Sequence, residues 1–201
     1  MDKGMVSKYL HTLGNLHIIR DELPVTSHPG ARGKQYRIID PYLLFWFRYA
    51  YPNRIDLEFS RVDEVQQFIM QSYDHHCGQC FENLVQEFIR EKIILPDKSW
   101  EPLGRWWVKE KEIDEVGISE KERTILFCEV KWSDLSRSDL IKIRTQLQLK
   151  ASDVLRHPDD RKEIYCIIGR TIANNPFDSH ENINVYDLNS IEKILQRKSI
   201  K

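Results

Sequence analysis

Ile125-Leu126-Phe127-Cys128-Glu129-Val130-Lys131-Trp132, preceded across a charged turn by Glu112-Ile113-Asp114, is the stretch on which the fold turns. From Ile125 to Val130 the run is almost continuously apolar, the pattern of a strand covered on both faces, yet a glutamate and a lysine are set into it. Side chains alternate along a strand, so Glu129 and Lys131 share one face while Cys128 and Val130 pack on the other. Charged residues are rarely placed in such a strand without a purpose. Ser119-Glu120-Lys121-Glu122-Arg123-Thr124 is a polar run of hairpin-loop length, which lets Asp114 lie on the neighbouring strand beside Glu129. Two carboxylates that close repel each other unless a cation is present, and hard oxygen ligands of this kind select Mg²⁺ or Mn²⁺. An exposed strand face with a surface ion pair is the plainer alternative, and the apolar neighbours weigh against it.

Working outward toward the C-terminus, apolar spacing predicts a helix over 140–155 (Ile141, Ile143, Leu147, Val154, Leu155), a strand over 163–169, a short strand over 184–188 and a helix over 190–197. A helix that joins the Lys131 strand to a parallel strand at Ile164 is a βαβ unit, so the expected class is α/β. Toward the N-terminus, residues 62–92 read as helical with a break near Gly78, and Phe81, Leu84, Val85 and Phe88 form its apolar stripe. Glu82 lies one position from that stripe, and points either toward the sheet or to water. Asp40-Pro41 reads as cap and first position of a helix over 42–51 that is apolar nearly all round. Such a helix is expected to be buried between units, where truncating Trp46 would cost about 3 to 5 kcal/mol. Before it come a helix over 6–19, interrupted near Gly14, and two strands flanking the turn cluster His28-Pro29-Gly30-Ala31-Arg32-Gly33. Helix then wing reads as the end of a winged-helix unit, with the chain beginning partway through it.

Composition narrows the function classes. The 201 residues carry a formal net charge of −1 and 41% hydrophobic residues, enough for a real core but without a global basic field, so contacts to nucleic acid have to come from local patches. No apolar run approaches a membrane span and no signal-peptide pattern opens the chain, so no membrane partner and a cytoplasmic location are expected. Cys128 and Cys166 sit in apolar strand patterns, which fits reduced thiols. His75-His76-Cys77-Gly78-Gln79-Cys80 holds one Cys-x-x-Cys and lacks the second ligand pair of a structural zinc. No Gly-x-x-x-x-Gly-Lys-Ser/Thr pattern is present, so the chain is not itself an ATPase.

Phe81-Glu82-Asn83-Leu84-Val85, Arg105-Trp106-Trp107 leading into Glu112-Ile113-Asp114, and Cys128-Glu129-Val130-Lys131-Trp132 together resemble the PD-(D/E)XK nuclease superfamily, and in particular the nuclease-like domain at the C-terminus of archaeal and bacterial AAA-type ATPases. The resemblance covers roughly half the chain, and the segment from Arg37 to Arg48 is similar to the linker of the same ATPases. It implies a restriction-endonuclease-like mixed sheet flanked by helices, with a partial winged-helix segment and aromatic linker helix over 1–52 and the nuclease-like domain over 53–201. It implies Asp114, Glu129, Lys131 and Glu82 as catalytic residues, with Asp114, Glu129 and Glu82 holding Mg²⁺ or Mn²⁺. Partners implied are DNA and an ATPase motor domain absent from this chain, with homo-oligomerisation open. Hydrolysis of a DNA phosphodiester is the implied activity, and a non-catalytic DNA-binding or partner-docking module is the alternative. Asp160-Arg161-Lys162, Pro96-Asp97 and Pro158-Asp159 match fragments of the superfamily signature but lack a strand pattern that would bring them to Glu129. Arg32 and Lys34 on the wing, with Gln146 on the helix after Lys131, are candidate nucleic-acid contacts, each with solvated surface as the alternative. Trp106, Trp107 and Trp132 are read either as base-stacking groups or as core.

Overall fold

The structure, a computed structural model, describes residues 2–28, 30–155, 160–178 and 181–199. Pro29 of the turn cluster and Pro158-Asp159 therefore lie outside the described residues. The chain forms two compact units, one of Met1–Leu23 with Pro29–Cys80 and the other of Pro24–His28 with Phe81–Lys201.

In the first unit, helix α1 (Lys3–Asn15) starts at Asp2, whose carboxylate accepts from the Gly4 N–H. Strands β1 (Ile19–Glu22) and β2 (Gln35–Ile38) pair antiparallel with Ile19 opposite Ile38. Asp40 caps helix α2 (Pro41–Phe45) through the Leu43 N–H, with Pro41 in the first turn where its missing N–H costs nothing. A π-helical turn, Trp46–Ala50, continues it. The expectation that this helix is buried all round is corrected here. Trp46 is 40% exposed, and Tyr42, Phe47 and Tyr51 are exposed with it. Tyr49 is the fully buried aromatic, packed on Phe45, Phe68 and His76, and its hydroxyl donates to the Ser72 carbonyl at 2.9 Å. A sequence apolar on every side does not say which face is covered, and packing selects Tyr49; the cost expected for truncating Trp46 therefore does not apply.

Helices α3 (Arg54–Glu58), α4 (Val62–Met70) and α5 (Tyr73–Arg90) follow. The helical break lies at Gln71 and Ser72 rather than near Gly78, which sits inside α5. A glycine in a helix interior costs about 1 kcal/mol relative to alanine, less than α5 recovers by burying Phe81, Val85 and Ile89. Leu84, expected on that stripe, is exposed, and Ile89 takes its place.

The second unit is a five-stranded mixed sheet in the order β3 (Leu103–Val108), β4 (Lys111–Ser119), β5 (Thr124–Leu135), β6 (Lys162–Ile172), β7 (Ile183–Asp187). Pairing is antiparallel from β3 to β5 and parallel from β5 to β7. The crossover is helix α6 (Arg137–Ala151), opened by a capping box in which the Ser136 hydroxyl accepts from the Asp139 N–H and the Asp139 carboxylate accepts from the Ser136 N–H. It covers one face of the sheet, where Leu140, Leu147 and Ala151 pack on Val116, Ile125, Phe127 and Ile167. The second half of α5 and helix α7 (Leu188–Ser199) cover the other, where Phe81, Val85 and Ile191 meet Leu126, Cys128, Cys166 and Ile168. The α/β class and the sheet flanked by helices are those expected; strand β3, formed by the segment read only as leading into Glu112, is an addition. Among the described residues no helix is long and apolar enough to cross a membrane.

Candidate active site

A β-bulge places the first carboxylate. Along β3 and β4 Gly104 faces Val116 and Trp106 faces Ile113, so β4 carries one more residue than β3 across this interval. The extra residue falls at Asp114 and Glu115, and it breaks the alternation: Ile113 and Val116, three apart, both belong to the core under α6. The β4–β5 ladder runs from Ser119 opposite Thr124 to Glu115 opposite Cys128 and ends there. Beyond it the Val130 N–H donates to Asp114 Oδ2 at 2.8 Å, so a side-chain carboxylate takes the place of a ladder carbonyl. Strand β5 stays paired with β6 through Lys131 opposite Gly169, so Glu129 and Lys131 remain on a paired backbone where the β4 ladder has ended.

Three of the expected residues meet at this point. Lys131 Nζ lies 2.8 Å from Glu129 Oε1 and 3.5 Å from Asp114 Oδ2. Asp114 is 7% and Glu129 8% exposed, while the Lys131 side chain keeps a solvent-accessible flank. Burial alone would pull the Lys131 ammonium down, but the attraction of Asp114 and Glu129, with a smaller share from Glu82, outweighs it and holds its pKa above the ordinary lysine value. A second ammonium, Lys150 from the last turn of α6, lies 3.2 Å from both oxygens of Glu129.

Glu82, the fourth residue, is turned onto Arg105, whose Nη1 is 2.5 Å from Glu82 Oε2 and which also pairs with Glu112. Gln146 and Gln148 are exposed on α6. Lys34 pairs with Asp21 at 2.7 Å and Arg32 is exposed, both in the first unit. Trp106 is core, and Trp132 packs edge-on to Phe81 with the Arg170 guanidinium over its ring.

Sequence reasoning passed over four groups. Lys150 is one, and Arg105 another. The remaining two, Glu115 and Gln86, form a buried pair in which Gln86 Nε2 lies 2.8 Å from each oxygen of Glu115. The signal for Glu115 was a second acid beside Asp114 in an apolar strand; for Gln86 it was a polar residue next to Val85. Glu115 is 2% exposed, and burial pushes its pKa up to about 8, against the lowering effect of the Gln86 bond and of Arg105 and Arg90. The folded protein thus keeps this proton to about pH 8, whereas the unfolded chain releases it near the ordinary value of 4.5. Between those values the folded state binds more protons, so this group's contribution to stability is complete below the unfolded pKa and is lost as pH rises toward about 8. Glu115→Gln cannot ionise, and is expected to lose a few kcal/mol less than the wild type across that window, since each tenfold change in proton affinity is worth roughly 1.4 kcal/mol. Urea unfolding at several pH values checks this; parallel pH dependence in the two proteins would rule it out.

Asp114 and Glu129 are two buried carboxylates, the hard-oxygen type of donor that Mg²⁺ takes. Among the described residues no three His, Cys, Asp or Glu side chains are grouped to hold a metal. Mg²⁺ is commonly bound through one or two carboxylates, with water and substrate phosphate completing its shell.

Comparison with known proteins gives three findings. Residues 46–143 match the family DUF234, described as archaeal and bacterial proteins of unknown function. That match spans Asp114, Glu129 and Lys131 and ends before Lys150. The chain is 31% identical over 171 residues to the uncharacterized protein MJECL04 of Methanocaldococcus jannaschii; the similarity takes in 84% of the chain but only 38% of that relative. A solved type III CRISPR defence DNA nuclease activated by cyclic oligoadenylate aligns with 90% of the chain and 29% of its own, at 18% identity and a TM-score of 0.40, too slight a likeness to bear on function.

Proposed function

We propose that the second unit is a metal-dependent phosphodiesterase of the PD-(D/E)XK kind acting on DNA, working as part of a longer protein that contains an ATPase motor. The observation that carries this reading is the convergence of Asp114, Glu129 and Lys131 on a strand end whose ladder is opened by a bulge. The resemblance of those residues to the superfamily's signature supports it, and the greater length of the Methanocaldococcus relative is compatible with further domains. Asp114 and Glu129 would hold the cation, which supplies polarisation of the phosphate and a lowered pKa for a bound water. Asp114 is aimed for that task by the Val130 N–H, and Glu129 by the paired backbone of β5. Lys131, charged at neutral pH and open to solvent on one flank, would meet the phosphate oxygens and offset the negative charge that builds on them. Glu82, which pairs with Arg105 and lies near enough to Lys131 to raise its pKa, would complete the shell of the cation as the resemblance implies.

A second reading, a non-catalytic DNA-binding or docking module, is favoured by one observation: Glu129 already has two ammonium partners and Glu82 an arginine. The two readings separate on the cation. Mg²⁺ or Mn²⁺ bound to the folded site is expected to raise the melting temperature by mass action, and Asp114→Asn to abolish the gain along with any cleavage of plasmid or single-stranded DNA. A gain that persists in the variant would remove Asp114 from the site.

A further inference from the structure

Lys150 stands in an arrangement that neither the family resemblance nor the comparisons assign. Its ammonium is equidistant, at 3.2 Å, from both oxygens of Glu129, so it grips the carboxylate from the side of α6 while Lys131 takes one oxygen from the strand. The acceptor is almost fully buried, which makes this unlike the exposed pairs that contribute little. The helix is anchored: the capping box fixes its start, and Leu147 and Ala151, flanking Lys150, are core residues. The lysine side chain is itself 26% exposed, reaching Glu129 from the last turn of the helix.

From this geometry we infer that Lys150 is a built-in competitor for the cation at Glu129, a displaceable counter-ion that sets how tightly the site takes a divalent metal. The inference rests on the phosphodiesterase reading. A cation held through Glu129 would have to share that carboxylate with an ammonium of like charge that already lies against both of its oxygens, so the two compete for it. Lys131 differs in having two acidic partners, Asp114 and Glu129, and in coming from the same strand as Glu129. Lys150 pairs with Glu129, and once released it is an unengaged ammonium at the edge of the site. The competitor thus keeps the two buried carboxylates compensated, and it frees a positive group only where the cation has bound.

The test uses the full chain and Mn²⁺ as the probe. Titration followed by calorimetry or electron paramagnetic resonance is expected to show tighter binding in Lys150→Ala, by roughly tenfold or more, a change within the ordinary range of coupling between neighbouring sites. Lys150→Arg retains the charge and should bind nearly as the wild type does. Lys142→Ala, an exposed lysine of the same helix more than two turns away, controls for a general charge effect and should leave the affinity within about twofold. Displacement has its own readout: acylation of the Lys150 amine, mapped by mass spectrometry, should speed up when Mn²⁺ is added. Equal, Asp114-dependent affinity in wild type and Lys150→Ala would overturn the competitor while leaving the metal site standing. Equal tightening in Lys150→Ala and Lys142→Ala would reduce the effect to net charge and overturn it as well. Absence of any Asp114-dependent binding in every variant would bring down the metal reading, and the competitor with it.

Discussion

Lys131→Ala is expected to lower the cleavage of plasmid and single-stranded DNA in Mg²⁺ or Mn²⁺ by on the order of a hundredfold or more, the usual cost of removing one preorganised group aimed at developing charge. The ammonium lies 2.8 Å from Glu129 and 3.5 Å from Asp114, and their attraction holds its pKa above the ordinary lysine value despite burial. Its proposed role is that of a positive charge beside the phosphate. Its removal leaves Asp114 and Glu129 in place, so binding of the cation should persist or tighten while turnover falls. That split distinguishes an electrostatic role from a structural one, which would weaken both together. Wild type and variant have to be purified identically, because a contaminating nuclease cleaves equally in both. Equal cleavage would assign the activity to something other than this site. No cleavage by the wild type, alone or with an ATPase partner, would leave the binding module as the better reading.

What the sequence disclosed and what it hid follow from the range of the interactions involved. Strand β5 was legible because a run such as Ile125 to Val130, interrupted by Glu129 and Lys131, admits few placements: alternation puts the two charges on one face, and the structure does the same. The parallel crossover to β6 followed from the spacing of Leu147 and its neighbours before an apolar strand. The capping of α2 by Asp40 was equally local. By contrast, the bulge at Asp114 and Glu115 shows only as a register difference between β3 and β4, and nothing in β4 alone announces it. Lys150 reaches a residue 21 positions away, and Gln86 one 29 positions away; helical periodicity places neither against the sheet. Trp46 and Tyr49 show the same limit from another side, because on an aromatic helix the choice of buried residue belongs to the packing.

Trp106→Ala is expected to cost about 3 to 5 kcal/mol of stability, the range for truncating a buried large aromatic. Trp106 is 2% exposed and lies in the core under α6 with Ile113, Val116, Leu140 and Leu147. Its position gives the loss a second consequence. Trp106 pairs with Ile113, the residue immediately before the bulge, and belongs to the same core cluster as Ile113 and Val116. A cavity there relaxes the constraint that forces the extra residue of β4 outward and aims Asp114 at the Val130 N–H. The variant should therefore lose a large part of the Asp114-dependent stabilisation by Mn²⁺ as well as intrinsic stability, whereas Trp106→Phe, which keeps much of the volume, should retain most of both. Trp107→Ala provides the contrast, since that side chain is only half-buried and opposes Glu112, outside the bulge. Chemical denaturation with and without Mn²⁺ measures the two effects side by side. A loss under about 1 kcal/mol in Trp106→Ala would place the indole outside the core, and a full loss of stability with an unchanged response to Mn²⁺ would separate the bulge from the packing beneath it.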